Sequence, residues 1–159
     1  MAQEIDQTRP TLLTMTVGGP RYDVHTLRHY LRVLTQFRNF TLVAFLDADG
    51  RFLASMSPWS LMELLEQPGR HLPEWEFFDE QGLADEFVSA INEGEEARLR
   101  RYPGVCTKRI LTTATNAEVL QQMLEQNLDC IAVIDTEGRL RGVVEREELL
   151  SRMVLALVR

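Results

Sequence analysis

The chain has 159 residues, 45% of them apolar and 26% charged, enough apolar material to bury an interior without disulfide or metal staples. Its formal charge of −7 repels phosphate at long range, which excludes general attraction to nucleic acid or anionic lipid. The two cysteines, Cys106 and Cys130, are too few for a disulfide framework, and Cys130 lies in an apolar run where a buried thiol is ordinary.

The start, Met-Ala-Gln-Glu-Ile-Asp, has neither the basic residues nor the apolar stretch of a secretory signal. No apolar run reaches membrane-spanning length. The expectation is a cytoplasmic chain without membrane insertion.

In chain order, a short strand is predicted near 14–17. Leu27, Leu31, Leu34 and Phe37 follow at helical spacing. Val43-Ala-Phe-Leu-Asp-Ala-Asp-Gly-Arg-Phe-Leu53 then spells a strand, an acidic-Gly turn and a second strand over 51–56, a β-hairpin. Ser57-Pro-Trp-Ser60 puts an N-cap before a proline at the first helical position, and that helix runs through Leu61, Leu64 and Leu65 to Pro68-Gly69. A connector comes next. In it, Trp75-Glu-Phe-Phe78 reads as an apolar plug, and Leu83, Phe87, Ala90 and Ile91 lie on one face of a helix ending near Gly94. A strand is predicted over 109–113. Thr115-Asn-Ala-Glu118 is a capping box ahead of the apolar Val119, Leu120, Met123 and Leu124. A second hairpin, Ile131-Ala-Val-Ile-Asp-Thr-Glu-Gly-Arg-Leu-Arg141 with its return strand over 139–144, precedes a helix over 145–158 carrying Leu149, Leu150, Met153, Val154 and Leu157.

The two hairpins match each other, Asp47 with Asp135 and Gly50 with Gly138, at a spacing of 88. Pairing Thr26 with Thr115 needs a spacing of 89, so one residue is gained or lost near the helix end. The chain therefore divides into a first unit over 10–69, a connector over 70–104 and a second unit over 105–159. Each unit is read as β-α-β-β-α, in an α+β fold.

These residues resemble the cystathionine-β-synthase (CBS) domain, whose units come in pairs called Bateman modules. The resemblance rests on Thr115-Asn-Ala-Glu-Val-Leu-Gln-Gln-Met-Leu, Cys130-Ile-Ala-Val-Ile-Asp, Gly138-Arg-Leu-Arg-Gly-Val-Val and Leu149-Leu150, and extends to 22–66 through the internal repeat. It implies two pseudo-symmetric units packed sheet to sheet with clefts between them, and commonly a homodimer. It also implies sensing of an adenine-containing ligand such as AMP, ATP or S-adenosylmethionine and modulation of a regulated protein partner, here unidentified.

Adenosine-binding members carry Gly-x-x-Thr/Ser-x-x-Asn/Asp, sometimes with one extra residue, across the end of the hairpin and the next helix start. There a hydroxyl and backbone N–H groups receive phosphate and a carboxylate holds the ribose. In the second unit the glycine is Gly142, the hydroxyl position is Glu145, and the ribose position falls on Glu147 or Glu148. A carboxylate at Glu145 repels an anionic nucleotide; Glu148 retains a carboxylate for a ribose. In the first unit Ala54 replaces the glycine, Ser57 keeps the hydroxyl and Ser60 replaces the acid. Trp59 is read as a base-stacking or a packing residue. Ser57 also reads as a plain N-cap, and the three glutamates as groups favoured by a helix dipole.

Arg98-Leu-Arg-Arg101 and Lys108-Arg109 form a basic cluster in an acidic chain. They read either as phosphate receptors beside a cleft or as partners of Glu93, Glu95 and Glu96. Catalytic patterns are missing. His25 and His29 share a helical spacing with Asp23 nearby, but no Glu follows His25 as in a zinc peptidase, and there is no phosphate loop, serine elbow or paired-cysteine motif. The expectation is a non-enzymatic, stand-alone regulatory CBS pair with no certain cofactor. The alternative is a ligand-free interaction or dimerisation module, favoured by the altered ribose positions. Val154-Leu-Ala-Leu-Val158, apolar on more than one face, predicts burial against a second subunit.

Overall fold

Alternation and turn chemistry set the sheets. β1 (Thr11–Thr16), β2 (Phe40–Leu46) and β3 (Phe52–Met56) form one, and β4 (Arg109–Leu111), β5 (Cys130–Ile134) and β6 (Leu140–Glu145) the other. The structure is a computed structural model and describes residues 11–19, 21–34, 36, 40–66 and 82–158. The expected aromatic plug at 75–78, Phe37, His71 and the Pro68-Gly69 stop lie outside the described residues. In both sheets the first strand pairs parallel to the middle one, and the hairpin strands pair antiparallel. A parallel pair needs a crossover, supplied by α1 (Val24–Leu34) in the first unit and α5 (Asn116–Glu125) in the second. α2 (Pro58–Glu66) and α6 (Arg146–Val158) close the units, giving the expected α+β architecture of two β-α-β-β-α repeats.

The hairpin turns are built alike. Asp47 Oδ1 accepts from the Asp49 and Arg51 N–H groups, both at 2.9 Å; Asp135 Oδ1 accepts from Glu137 at 2.9 Å and Arg139 at 3.0 Å. Gly50 (φ 80°) and Gly138 (φ 84°) take the left-handed position that a short turn with a bulge requires. The capping box at Thr115 forms, with Glu118 N–H donating to Thr115 Oγ1 and Glu118 reaching back to the Thr115 N–H.

The first helix starts differently from the expectation. Asp23 is its cap, accepting from the Thr26 N–H and hydroxyl at 3.0 Å each. Its carboxyl accordingly lies below the usual aspartate range, chiefly through the Thr26 N–H. Asp23, not Thr26, therefore corresponds to Thr115. Leu27 and Leu31 occupy the buried places of Val119 and Met123, so the helices match at a spacing of 92 and the pairing at 89 is corrected. The strand predicted at 14–17 starts earlier, at Thr11, and the one predicted at 109–113 ends at Leu111.

The sheets face each other through Leu42, Ala44 and Phe52 of one and Ala132 and Ile134 of the other. Arg51 and Arg139, equivalent at the 88 spacing, form an antiparallel bridge with each other, which puts the pseudo-twofold axis between them. Two further ties cross the boundary: the Phe52 N–H donates to the Gly138 carbonyl at 2.9 Å, and Ser55 and Cys106 exchange backbone bonds at 2.7 Å.

The described part of the connector, 82–104, packs into the first unit's core. α3 (Gly82–Asn92) and the single turn α4 (Glu96–Leu99), the latter not anticipated, bring Ala84, Phe87, Val88, Ile91, Leu99 and Tyr102 into one cluster with Leu31, Phe45 and Leu61. Phe87 meets Phe45 and Tyr102 edge-on, at centroid distances of 6.1 and 4.9 Å. Gly18 and Gly94 let two backbones touch, since a Cβ on Gly18 would come within 3.3 Å of the Gly94 Cα. Asn92 clasps Tyr22 by accepting from its N–H at 2.7 Å and donating to its carbonyl at 3.0 Å. α6 is less covered: Leu149 is buried, but Leu150, Val154, Leu155 and Leu157 are exposed. Among the described residues no helix is long and apolar enough to cross a membrane.

Candidate functional site

A cleft of about 400 Å³ opens between the units, lined by residues 41–42, 55–60, 104, 106, 108 and 127–130. That volume lies within the ~300–1,000 Å³ typical of small-molecule sites. Its first-unit wall is the turn from β3 into α2. Ser57 Oγ accepts from the Ser60 N–H at 3.0 Å and donates to Ser60 Oγ at 2.9 Å, so Ser57 is an N-cap. Trp59, one residue into the exposed face of α2, is 72% accessible. Gly104 (φ 84°) runs against this turn, where a Cβ would lie 2.9 Å from the Ser60 Cβ.

The opposite wall is the α5–β5 connection of the second unit. Asn127 takes a positive φ of 52° there, a helix-end conformation that asparagine tolerates. Asp129 is engaged by Arg146 at 2.8 Å. Cys130 borders the cleft as a free cysteine. Burial, then the charges of Glu145 and Asp129, pushes its thiol up to about 11, which keeps it protonated and weakly nucleophilic. Thr41 Oγ1, buried on the cleft wall, has no hydrogen-bond partner among the described residues.

The sequence-predicted residues separate into two groups. Ser57, Trp59, Ser60 and Lys108 line the cleft. Arg109 does not: it donates to the Phe52 carbonyl at 2.9 Å, the Leu53 carbonyl at 3.3 Å and the Thr107 carbonyl at 3.1 Å, with its guanidinium 4.8 Å over the Phe52 ring. It joins the units instead of facing the cleft. Glu145 and Glu148 stand at the start of α6, the places Ser57 and Ser60 hold at the start of α2, and are not among the lining residues. Glu148 pairs with Arg152 at 2.5 Å. Glu145 is held above the usual glutamate range by burial first and by Glu148 and Glu147 second.

Two members of the basic cluster, Arg98 and Arg100, are spent on ion pairs. Arg98 binds Glu86, and Glu95 at 2.8 Å, and Arg100 binds Glu96. Asp23 is used as a helix cap, and among the described residues no group of three His, Cys, Asp or Glu side chains is placed to hold a metal. Sequence reasoning missed Thr41, Asn127 and Asp129. The Gln-Asn-Leu-Asp stretch after a long helical pattern marked a helix end, but only the folding of one unit against the other turns it into a wall.

Residues 108–155 match the CBS domain family. No curated protein sequence matches the chain. Among solved structures, CBSX2 in complex with AMP is similar at 14% identity and a TM-score of 0.56, over 94% of this chain and 90% of that one. The CBS domain pair of protein MJ0100, in complex with 5′-methylthioadenosine and S-adenosyl-L-methionine, is similar at 13% identity and 0.54, over 92% and 90%. The cytosolic domain of the Mg2+ channel MgtE in complex with ATP is similar at 17% and 0.51, over 89% of this chain but 44% of that one. The chain thus spans less than half of the MgtE structure, and at these identities the likeness is one of fold. With a CBS domain over 108–155 and the same unit repeated before it, the chain has the fold of a tandem CBS-domain pair.

Proposed function

We propose that this chain is a non-catalytic regulatory module that binds an adenine-containing ligand in the inter-unit cleft and transmits its occupancy to a partner protein. The observation that carries the reading is the cleft itself. Both units contribute to a space of about 400 Å³, so a ligand there touches both and biases their relative placement. Its lining pairs apolar surface from Leu42, Met56, Pro58 and Leu128 with hydroxyls, one lysine and an exposed tryptophan, a composition suited to a base and a polar sugar. Support comes from the adenine compounds named with the similar structures: AMP, ATP, S-adenosyl-L-methionine and 5′-methylthioadenosine.

Thermal unfolding with and without millimolar AMP, ATP, S-adenosylmethionine and cyclic dinucleotides tests it, because a ligand specific to the folded state raises the midpoint by mass action. At least one adenine compound is expected to give a dose-dependent rise. No rise with any of them overturns the reading. A second reading, a ligand-free interaction or homodimerisation module, is favoured by the exposed Leu150, Val154, Leu155 and Leu157 of α6. Sedimentation separates the two: a dimer without ligand response supports the second, and a monomer at high concentration removes self-association from it.

A further inference from the structure

We infer that the inter-unit cleft selects a nucleoside with at most one phosphate over its polyphosphate forms, with Lys108 and the Trp59 N–H as the groups that receive that single phosphate. This rests on the adenine-ligand reading and deepens it. The argument is an inventory of donors and charges. A helix start attracts anions because its first N–H groups lack partners. In α2 that supply is nearly exhausted. Pro58 has no N–H, the Ser60 N–H is taken by Ser57 Oγ at 3.0 Å, and the Leu61 N–H donates to the Ser57 carbonyl at 3.1 Å. Among helical positions 58–61 this leaves the Trp59 N–H. The Ser57 hydroxyl, a phosphate donor by its position, gives its proton to Ser60 Oγ at 2.9 Å.

Charge accounting points the same way. Among the described residues Lys108 is the sole basic side chain of the lining, and it makes no ion pair with any of them. Arg109, adjacent in sequence, is held by the carbonyls of Phe52 and Leu53. Asp129 puts a carboxylate on the far wall, engaged by Arg146, and the Cys130 thiol, raised first by burial, is raised further by the charges of Glu145 and Asp129. One phosphate meets one lysine and one N–H. Each further phosphate adds negative charge that meets no free cation of the lining. The neutral hydroxyls of Thr41 and Ser55 and the Asn127 amide suit an uncharged sugar or base.

Isothermal titration of the full chain with adenosine, AMP, ADP and ATP, without added metal and at fixed ionic strength, tests the inference. AMP is expected to bind at least tenfold more tightly than ATP, with ADP between. Equal or tighter binding of ATP overturns the inference and leaves the adenine-ligand reading standing; no binding by any of the four overturns the inference, and the adenine-ligand reading falls with it if S-adenosylmethionine and cyclic dinucleotides also give no thermal shift. Two variants, each verified as folded by its melting transition, probe the donors. Lys108→Gln is expected to bring the AMP-to-adenosine affinity ratio close to one; an unchanged ratio overturns the role of Lys108. Pro58→Ala supplies the missing N–H and is expected to raise that ratio severalfold. An equal change for adenosine and AMP overturns the donor count.

Discussion

The two units share strands, turns and helix order, yet their outer helical layers meet opposite fates. On the first, Leu61, Leu64 and Leu65 of α2 are buried in one cluster with Ala84, Phe87 and Val88 of α3. On the second, the 88 spacing puts Arg152 where α2 has Leu64, and Arg152 turns to Glu148 while Leu150, Val154 and Leu157 remain exposed. Duplication copied what makes a sheet and its hairpin. What covers the helices was not copied, because α3 and α4 occur once and pack on one unit.

Removing the connector's central ring is the strongest way to break this comparison. Phe87 is fully buried between Phe45 and Tyr102, so Phe87→Ala is expected to cost about 3–5 kcal/mol. Leu150→Ala on the open face of α6 is expected to stay within about 0.5 kcal/mol in the monomer. Urea unfolding measures both. Equal costs would mean that the connector is not part of the first unit's core.

This asymmetry was only partly legible in the sequence. The Asp-x-x-Gly turns and the Thr115/Glu118 capping box are local chemistry: each bond joins groups a few residues apart, so the order of letters nearly dictates the geometry. The face of the connector helix was legible too, through Phe87, Ala90 and Ile91. Its destination was not, since packing on the first unit depends on Gly18 approaching Gly94, a contact between distant segments. The same limit explains the first helix. Asp23 and Thr26 are both good caps, and the choice of Asp23 is made by where α1 must start for Leu27 and Leu31 to be buried. In the site, Ser57 and Ser60 came from motif positions and Trp59 from its place beside them, whereas Asn127 and Asp129 arrive from the other unit.

The boundary between the units offers a smaller contrast. Arg109 pairs with Ala132 in its sheet, and Thr14 pairs with Ala44, the equivalent alanine. One reaches across to the carbonyls of β3 and the Phe52 ring; the other is an exposed threonine. Arg109→Met keeps much of the stem and removes every donor, leaving the Phe52 and Leu53 carbonyls to find other partners. It is expected to cost about 1–3 kcal/mol, against less than about 0.5 kcal/mol for Thr14→Ala. If the two substitutions cost the same in thermal and urea unfolding, Arg109 is no clamp.

The mildest and most specific contrast is between the two helix starts, Ser57 and Glu145. Ser57 satisfies its helix with a neutral hydroxyl. Glu145 brings a carboxylate that is partly desolvated and faces Glu148 and Glu147, so its acid form is favoured in the folded chain. A carboxyl whose folded pKa exceeds its unfolded value binds more protons when folded, and the folded state loses stability as pH rises through that interval. Glu145→Gln removes this penalty. It is expected to raise the melting midpoint at neutral pH by no more than about 2–4 °C, and the gain over the parent chain is expected to vanish once the pH falls below the ordinary glutamate range. A gain that persists unchanged into acid would assign it to packing, and a loss at neutral pH would mean that the helix dipole of α6 outweighs burial and the neighbouring acids. The direction bears on the site as well, because a carboxylate that resists its own charge at the start of α6 resists a phosphate there equally, leaving the start of α2 as the better place for an anionic ligand.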